Sequence, residues 1–245
     1  MLFVVGIGPG GRPHMTARAV EALEAARVVV GYTRYIDLLG SLVYGKERIA
    51  TGMTREVDRA RAAVERALKG DVVAVVSTGD PGIYGMAGLV LELLEREDPD
   101  GRVPVEIVPG VSAAQAAASL LGAPLMTDFA VLSLSDLLVP WSVIRARIEA
   151  VAAADLVVAL YNPRSRRRVR QLVEACEILL AHRPPDTPAG VVRHALRTGQ
   201  SVRLTTLAEV PQADVDMMSV VIVGNRSTRR VGRWMVTPRG YDLPP

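Results

Sequence analysis

Cysteine is almost absent from this sequence of 245 residues, since Cys176 is the only one. A single cysteine excludes a disulfide within the chain and a metal site built from several cysteines. Cys176 shares one face of a predicted helix with Leu172, Val173, Leu179 and Leu180. We therefore expect it to be a buried core residue rather than a reactive thiol.

Long apolar runs are also missing, and none approaches the roughly 20 residues that a membrane-spanning helix needs. Met1 to Gly6 leads directly into a predicted strand, without the basic segment or the cleavage site of a secretory signal. The three histidines are far apart and lack metal-ligand spacing, and no G-x-S-x-G nucleophile motif is present. We expect a cytoplasmic protein that has no protein-bound metal and no hydrolytic nucleophile.

Aromatic residues make up only 4% of the chain, which argues against stacking platforms for single-stranded nucleic acid. Lysine is equally scarce, because only Lys46 and Lys69 belong to the 29 basic residues. Apolar residues reach 49% and charged residues 22%, which is typical of a globular protein. The basic residues are thus nearly all arginines, whose planar guanidinium binds both oxygens of a carboxylate.

Arginines are densest between Arg164 and Arg170, directly after a predicted strand, and a second cluster spans Arg226 to Arg233. Three interpretations are open: a solvated helix face, a nucleic-acid surface, or a counter-charge for a small polycarboxylate. Nucleic acid would require a continuous basic face, whereas the net charge is only +3. We favour the polycarboxylate, with Arg164 and Arg166 as candidate substrate-binding residues.

The stretch from Val72 to Gly85 organises the first half of the chain. Val72 to Val76 is an apolar, mostly β-branched run, which predicts a strand buried on both faces. A loop rich in glycine and proline follows, and helical spacing of apolar residues begins at Tyr84. This order places Asp80 at the carboxyl end of a parallel sheet, where open α/β sheets bind small ligands. The alternative for this loop alone is an ordinary turn between strand and helix, with Asp80 as a capping residue.

The pattern of predicted elements indicates an α/β protein with two domains, 1–110 and 114–245. In the first half, four predicted strands alternate with helices, which favours a mainly parallel sheet. In the second half, strands follow one another near the end, which favours a mixed sheet. The helix predicted over 55–69 interleaves acids and bases, as a solvated face does.

The segment Gly6 to Gly11 fits the G-x-G-x-x-G dinucleotide fingerprint, but two features argue against NAD. Pro9 removes a backbone N–H from the loop that should bind a pyrophosphate. The second strand ends at Gly31 and Tyr32, without the acid that should bind the ribose.

Four ordered segments together resemble the tetrapyrrole (corrin/porphyrin) methyltransferases. They are Gly6-Ile-Gly-Pro-Gly10, Thr78-Gly-Asp-Pro81, Pro109-Gly-Val-Ser-Ala113 and Val221-Ile-Val-Gly224. The resemblance implies the two-domain α/β fold of class III methyltransferases, with S-adenosylmethionine (SAM) in the cleft between the domains. Further stretches, among them Tyr161-Asn-Pro-Arg-Ser165 and Thr237-Pro-Arg-Gly-Tyr241, resemble the C17-methyltransferases of cobalamin synthesis. Those enzymes methylate precorrin-3B or cobalt-factor III and contract the ring, giving precorrin-4 or its cobalt form.

The resemblance also implies site residues, a homodimer and a tetrapyrrole substrate. The positions matched to SAM binding are Pro9, Thr78, Gly79, Asp80, Ile83, Ser112, Ala113, Asn162 and Ala195. Related uroporphyrinogen methyltransferases have an aspartate, proposed to handle protons, where this chain has Tyr32, which makes Tyr32 a candidate catalytic residue. Two alternatives remain: methylation at another ring position, C11 or C20, and a nucleotide- or nucleic-acid-binding module.

Overall fold

The structure is a computed structural model that describes residues 1–242. The chain divides into two units, of which the first spans Met1–Ala113 and the second begins at Ala114.

The first unit contains one five-stranded sheet in which every pair of neighbours is parallel. Its strands are β1 (Leu2–Gly6), β2 (Val28–Tyr32), β3 (Glu47–Thr51), β4 (Val73–Ser77) and β5 (Val105–Val108), in the spatial order β3-β2-β4-β1-β5. Its helices are α1 (Ala17–Ala25), α2 (Thr33–Asp37), α3 (Glu56–Leu68) and α4 (Ala87–Glu97). Short 3-10 turns span Arg12–His14 and Gly40–Val43. Because all five strands are parallel, the loops that follow them meet at one edge of the sheet.

The central strand β4 is buried along its whole length, as the sequence predicts. Alternate residues of the strands face opposite sides of the sheet, so each side has its own core. Val4 and Val75 face the side covered by α3 and α4, whereas Val5 and Val76 face the side covered by α1. Both faces of the sheet are therefore covered, which is the usual arrangement for parallel strands.

Two details of the first unit differ from the sequence prediction. The sheet has a fifth strand, β3, which was not predicted because it is a polar edge strand that begins with the exposed Glu47. Helix α4 begins at Ala87 and not at Tyr84, whose φ of +54° is incompatible with a right-handed helix. The hydroxyl of Ser77 accepts a hydrogen bond from the N–H of Met86 at 3.1 Å, which helps to fix the start of the helix.

The second unit contains a five-stranded sheet in the order β10-β9-β11-β8-β7 and a small sheet in the order β12-β13-β6. The strands are β6 (Gly122–Ala123), β7 (Phe129–Ser133), β8 (Val157–Tyr161), β9 (Pro188–Arg193), β10 (Ser201–Thr206), β11 (Ser219–Val223), β12 (Arg229–Val231) and β13 (Trp234–Val236). The helices are α5 (Ala113–Leu121), α6 (Trp141–Ala153) and α7 (Arg170–Leu180), and a 3-10 segment spans Leu207–Gln212. In the larger sheet β7 and β8 are parallel and the other neighbours are antiparallel. The predicted mixed sheet is therefore confirmed.

The small sheet was not predicted, because its strands have only two or three residues and no buried apolar run. Helix α7 begins at Arg170, so most of the arginine-rich segment 164–170 precedes the helix. In this segment the hydroxyl of Ser165 accepts the backbone N–H groups of Arg167 and Arg168, at 3.3 and 3.1 Å, and so closes a turn before the helix.

Cys176 is completely buried on the inner face of α7, as predicted. Burial raises the pKa of its thiol to about 12. Among the described helices, none is both long and apolar enough to cross a membrane.

Candidate functional site

Three loops meet at the carboxyl edge of the first unit's sheet, after the adjacent strands β4, β1 and β5. The loop after β1 and the loop after β4 are joined by two backbone hydrogen bonds. The N–H of Gly8 donates to the carbonyl of Gly79 at 3.2 Å, and the N–H of Gly79 donates to the carbonyl of Gly8 at 2.8 Å. Both glycines have positive φ angles, of +65° and +69°, which L side chains rarely adopt.

The loop after β5 lies directly against these two. A Cβ atom added at Gly110 would lie 2.2 Å from the carbonyl oxygen of Gly79, and one added at Gly6 would lie 2.7 Å from the Gly110 nitrogen. Neither distance is compatible with a real side chain, so only glycine allows the three backbones to approach this closely. The three loops are thus held together by contacts within the protein's own backbone.

Asp80 links the second and third of these loops. Its Oδ1 accepts a hydrogen bond from the N–H of Gly82 at 2.8 Å, and its Oδ2 accepts one from the N–H of Gly110 at 3.1 Å. The bond to Gly82 is a local contact of the kind that a capping aspartate makes, whereas the sequence does not indicate the bond to Gly110, which is 30 residues away. Each oxygen keeps a further lone pair, so a contact with a ligand remains a prediction for Asp80.

The other predicted residues of the first unit lie in the same loops. Pro9 follows Gly8 in the first loop, while Thr78 and Ile83 belong to the central loop. Ile83 is 38% exposed, so this loop presents apolar as well as polar surface. Ser112 is buried in the third loop, and Ala113 is the first residue of α5. The structure therefore brings all seven predicted residues of this unit to one edge of its sheet.

Tyr32 lies at the same edge, at the end of β2. Arg59 lies beside it and was not predicted as part of this region. The guanidinium carbon of Arg59 is 6.0 Å from the centre of the Tyr32 ring. Arg59 is only 4% exposed and donates to the Thr51 hydroxyl at 2.9 Å and to the Gly52 carbonyl at 3.0 Å. The prediction of a wholly solvated charged face on this helix is therefore wrong at Arg59. Its spacing of four residues from the buried Ala63 could have revealed this.

In the second unit, Asn162 follows β8 at the edge where β7 and β8 end. Its φ is +50°, and its side-chain nitrogen donates to the hydroxyl of Ser133, the last residue of β7, at 3.0 Å. Just before it, the hydroxyl of Tyr161 accepts the backbone N–H of Ala114 at 2.8 Å, which satisfies a donor in the first turn of α5.

Ala195 lies at this edge as well, in the loop after β9. Its neighbours His194 and Leu196 have φ angles of +49° and +58°. The His194 N–H donates to the carbonyl of Met218 at 3.1 Å, just before β11, the strand that lies between β8 and β9. Backbone strain of this kind persists only where the surrounding structure imposes it, and it is common at functional sites.

The two predicted substrate-binding arginines differ in their surroundings. Arg164 donates to the backbone carbonyl of Pro211 at 2.9 Å, and its Nε is buried without a hydrogen-bond partner among residues 1–242. Arg166 is exposed and forms no ion pair with any carboxylate of residues 1–242. Arg166 is therefore the more available of the two for a ligand. Within the same residues, no group of three or more histidine, cysteine, aspartate or glutamate side chains is arranged to bind a metal ion.

Comparison with known proteins shows the protein family to which this chain belongs. The family described as Tetrapyrrole (Corrin/Porphyrin) Methylases matches residues 1–211. The chain therefore belongs to that family, which confirms the resemblance seen in the sequence.

Individual relatives are more specific. The chain is 52% identical over 243 residues to the "Probable cobalt-factor III C(17)-methyltransferase" of Salmonella typhimurium, a match that covers 99% of this chain and 100% of the relative. It is 49% identical over 243 residues to the "Cobalt-factor III methyltransferase" of Priestia megaterium. That match covers 98% of this chain but 45% of the relative, so the chain spans about half the length of that protein. Among solved structures, the methyltransferase CobJ superimposes with a TM-score of 0.91 at 37% identity, covering 97% of this chain and 99% of that one.

Proposed function

We propose that this protein transfers a methyl group from SAM to C17 of a tetrapyrrole precursor of cobalamin, with contraction of the ring. The substrate that we favour is cobalt-factor III, and the product then carries one additional methyl group on a contracted ring. The observation that carries the proposal is the 52% identity to a relative of that name along the full length of both chains. The loops tied together at the carboxyl edge of the first sheet give it a structural basis.

The proposed SAM contacts are the nine residues that the sequence indicates. They are Pro9, Thr78, Gly79, Asp80, Ile83, Ser112 and Ala113 in the first unit, and Asn162 and Ala195 in the second. The loop glycines suit this group, because they leave backbone N–H and C=O groups accessible to a ligand. The half-buried carboxylate of Asp80 keeps lone pairs for an ammonium or a ribose hydroxyl.

SAM supplies a methyl group that its sulfonium already activates. The protein must therefore orient the acceptor carbon, at roughly 3–3.5 Å from the methyl group, rather than form a covalent bond itself. Arginines suit a macrocycle with acidic arms, and Arg166 is a candidate for this role because it is exposed and without a carboxylate partner among residues 1–242. Ring contraction also requires proton transfer, for which Tyr32 is the candidate at the edge of the first sheet.

The test is a direct assay with the purified chain. We expect incubation with SAM and cobalt-factor III to give a product that carries one additional methyl group, which mass spectrometry detects. Parallel incubation with precorrin-3B decides between the metallated and the metal-free substrate. NMR of the product made with isotopically labelled SAM decides between C17 and another ring position such as C11 or C20.

If neither cobalt-factor III nor precorrin-3B gives a methylated product, the proposal is contradicted. Calorimetric titrations with SAM, NAD and DNA give an independent result, because only the proposed function predicts tight binding of SAM. Binding of NAD or DNA without SAM would favour the nucleotide or nucleic-acid module instead.

Two further proposals follow from the family resemblance, a cytoplasmic location and a homodimer. Light scattering coupled to size-exclusion chromatography measures the mass in solution, and the mass of a single chain would contradict the dimer.

A further inference from the structure

Arg168 is a buried arginine of the second unit that joins three segments at one edge of the larger sheet. Only 8% of its surface is exposed. One terminal nitrogen donates to the backbone oxygen of Asn162 at 2.7 Å and lies 3.2 Å from Sδ of Met217. The other terminal nitrogen lies 3.5 Å from the hydroxyl of Ser135. These partners follow β8, precede β11 and follow β7, so one side chain spans the ends of three strands.

The partners of Arg168 carry no charge, which makes its burial costly. It forms no ion pair with a carboxylate of residues 1–242, and its Nε has no hydrogen-bond partner. Burial lowers the pKa of its guanidinium, because the charge is removed from water and the attraction of Asp136 offsets this only in part. An apolar residue would fill the same space at lower cost. What a guanidinium adds is a rigid fork that reaches several acceptors at once.

The strongest of these contacts is made to a strained residue. Asn162 has a φ of +50°, a conformation that only a few percent of residues other than glycine adopt. Pro163 follows it and further restricts its backbone. The hydrogen bond from Arg168 to the Asn162 carbonyl, at 2.7 Å, holds the peptide unit directly after the strained φ angle.

We propose that Arg168 is a positioning residue of the cofactor site, which fixes the backbone of Asn162 without touching the cofactor. This inference rests on the proposed function, in which Asn162 contacts SAM. Loss of the restraint allows the segment after β8 to relax, so that SAM must reorder it on binding. The affinity for SAM then falls, whereas methyl transfer from the fully bound state changes little.

Arg183 offers a matched control in the same unit. It is also buried, at 3% exposure, and also donates to backbone carbonyls, those of Leu156 and Gly224, each at 2.6 Å. Leu156 directly precedes β8, whereas Asn162 directly follows it. Replacing Arg183 therefore disturbs the opposite edge of the same sheet through the loss of backbone hydrogen bonds, together with an ion pair to Asp155 at 3.8 Å.

The experiment compares the wild-type protein with Arg168→Lys and Arg183→Lys. A lysine ammonium is one point donor and cannot reach the same acceptors together. We expect both variants to unfold at lower urea concentration than the wild type. Only Arg168→Lys should raise the calorimetric Kd of S-adenosylhomocysteine, by about tenfold, because a hydrogen bond from a charged donor is lost. The KM for SAM should rise with it, while kcat at saturating SAM stays within about a factor of three.

Arg168→Gln is the second variant and covers the case in which Arg168→Lys does not fold. It removes the buried charge and also the reach to Asn162, and we expect the same rise in Kd. Equal Kd values for the wild type and the Arg168 variants would overturn the inference, as would an equal loss of affinity in Arg183→Lys. If the wild type itself binds no S-adenosylhomocysteine, the proposed function fails and this inference with it, so the two failures are distinguishable.

Discussion

Replacement of Asp80 tests how the loops of the first unit are held together. Its carboxylate accepts backbone N–H groups from Gly82 at 2.8 Å and from Gly110 at 3.1 Å. A hydrogen bond to a charged group contributes about 1.5–3 kcal/mol to stability. Asp80 is only partly buried, so water replaces some of each bond when the carboxylate is removed. We therefore expect Asp80→Ala to lower the free energy of unfolding by about 2 kcal/mol, measured by urea denaturation.

The same change should weaken cofactor binding, because the loop after β5 is no longer tied to the central loop. We expect the calorimetric Kd for S-adenosylhomocysteine to rise about tenfold in Asp80→Ala, which corresponds to about 1.4 kcal/mol. The Kd of Asp80→Asn should lie between the values for the wild type and for Asp80→Ala. Its amide oxygen can still accept one N–H group, while its NH2 group faces the other donor.

Asp100→Ala is the control for this pair of variants. Asp100 is exposed in the turn before β5, at the opposite end of that strand from Gly110. Asp100→Ala should leave both the free energy of unfolding and the Kd for S-adenosylhomocysteine unchanged. If Asp80→Ala matched Asp100→Ala in both measurements, the assignment of Asp80 as the link between the loops would be refuted.

Three further predictions use other contacts of the structure. Gly110→Ala should destabilise the protein by roughly 1–3 kcal/mol in urea unfolding, because its Cβ would lie 2.2 Å from a backbone oxygen. Gly88→Ala, in helix α4, should be neutral or stabilising, because a Cβ added there would have no atom of the described residues within 4 Å apart from its own helix backbone. The pKa of Asp98 is lowered, first by a backbone N–H bond, so its contribution to stability is present above about pH 4 and is lost as pH falls through the lower folded value. The stability difference between wild type and Asp98→Asn should accordingly be larger at pH 7 than at pH 2. Cys176, with a buried thiol whose pKa is raised to about 12, should react with a thiol reagent at pH 8 only after unfolding, and rapid reaction of the native protein would contradict its burial.

Residues close together in the sequence made much of the fold predictable. The apolar run from Val72 to Val76 indicated the buried central strand, and strands alternating with helices indicated the parallel sheet of the first unit. In the second half, successive strands indicated the mixed sheet. The polar edge strand β3 was missed, because a strand with little buried surface leaves no run of apolar residues.

The family and its loop segments were also recognisable from the sequence, since each loop motif is a run of adjacent residues. The sequence did not show which of these residues form the hydrogen bonds that hold the loops together. Asp80 meets Gly110 across 30 residues, and Arg168 meets Met217 across 49. Arg59 and Arg168 read as members of charged segments, yet both are buried against partners that only folding brings near.

Local patterns thus determined which segments are strands, helices and glycine loops, because periodicity and backbone preference act over a few residues. Only the tertiary structure decided which polar groups are paired. Burial and hydrogen-bond geometry depend on the positions of segments that are distant along the chain.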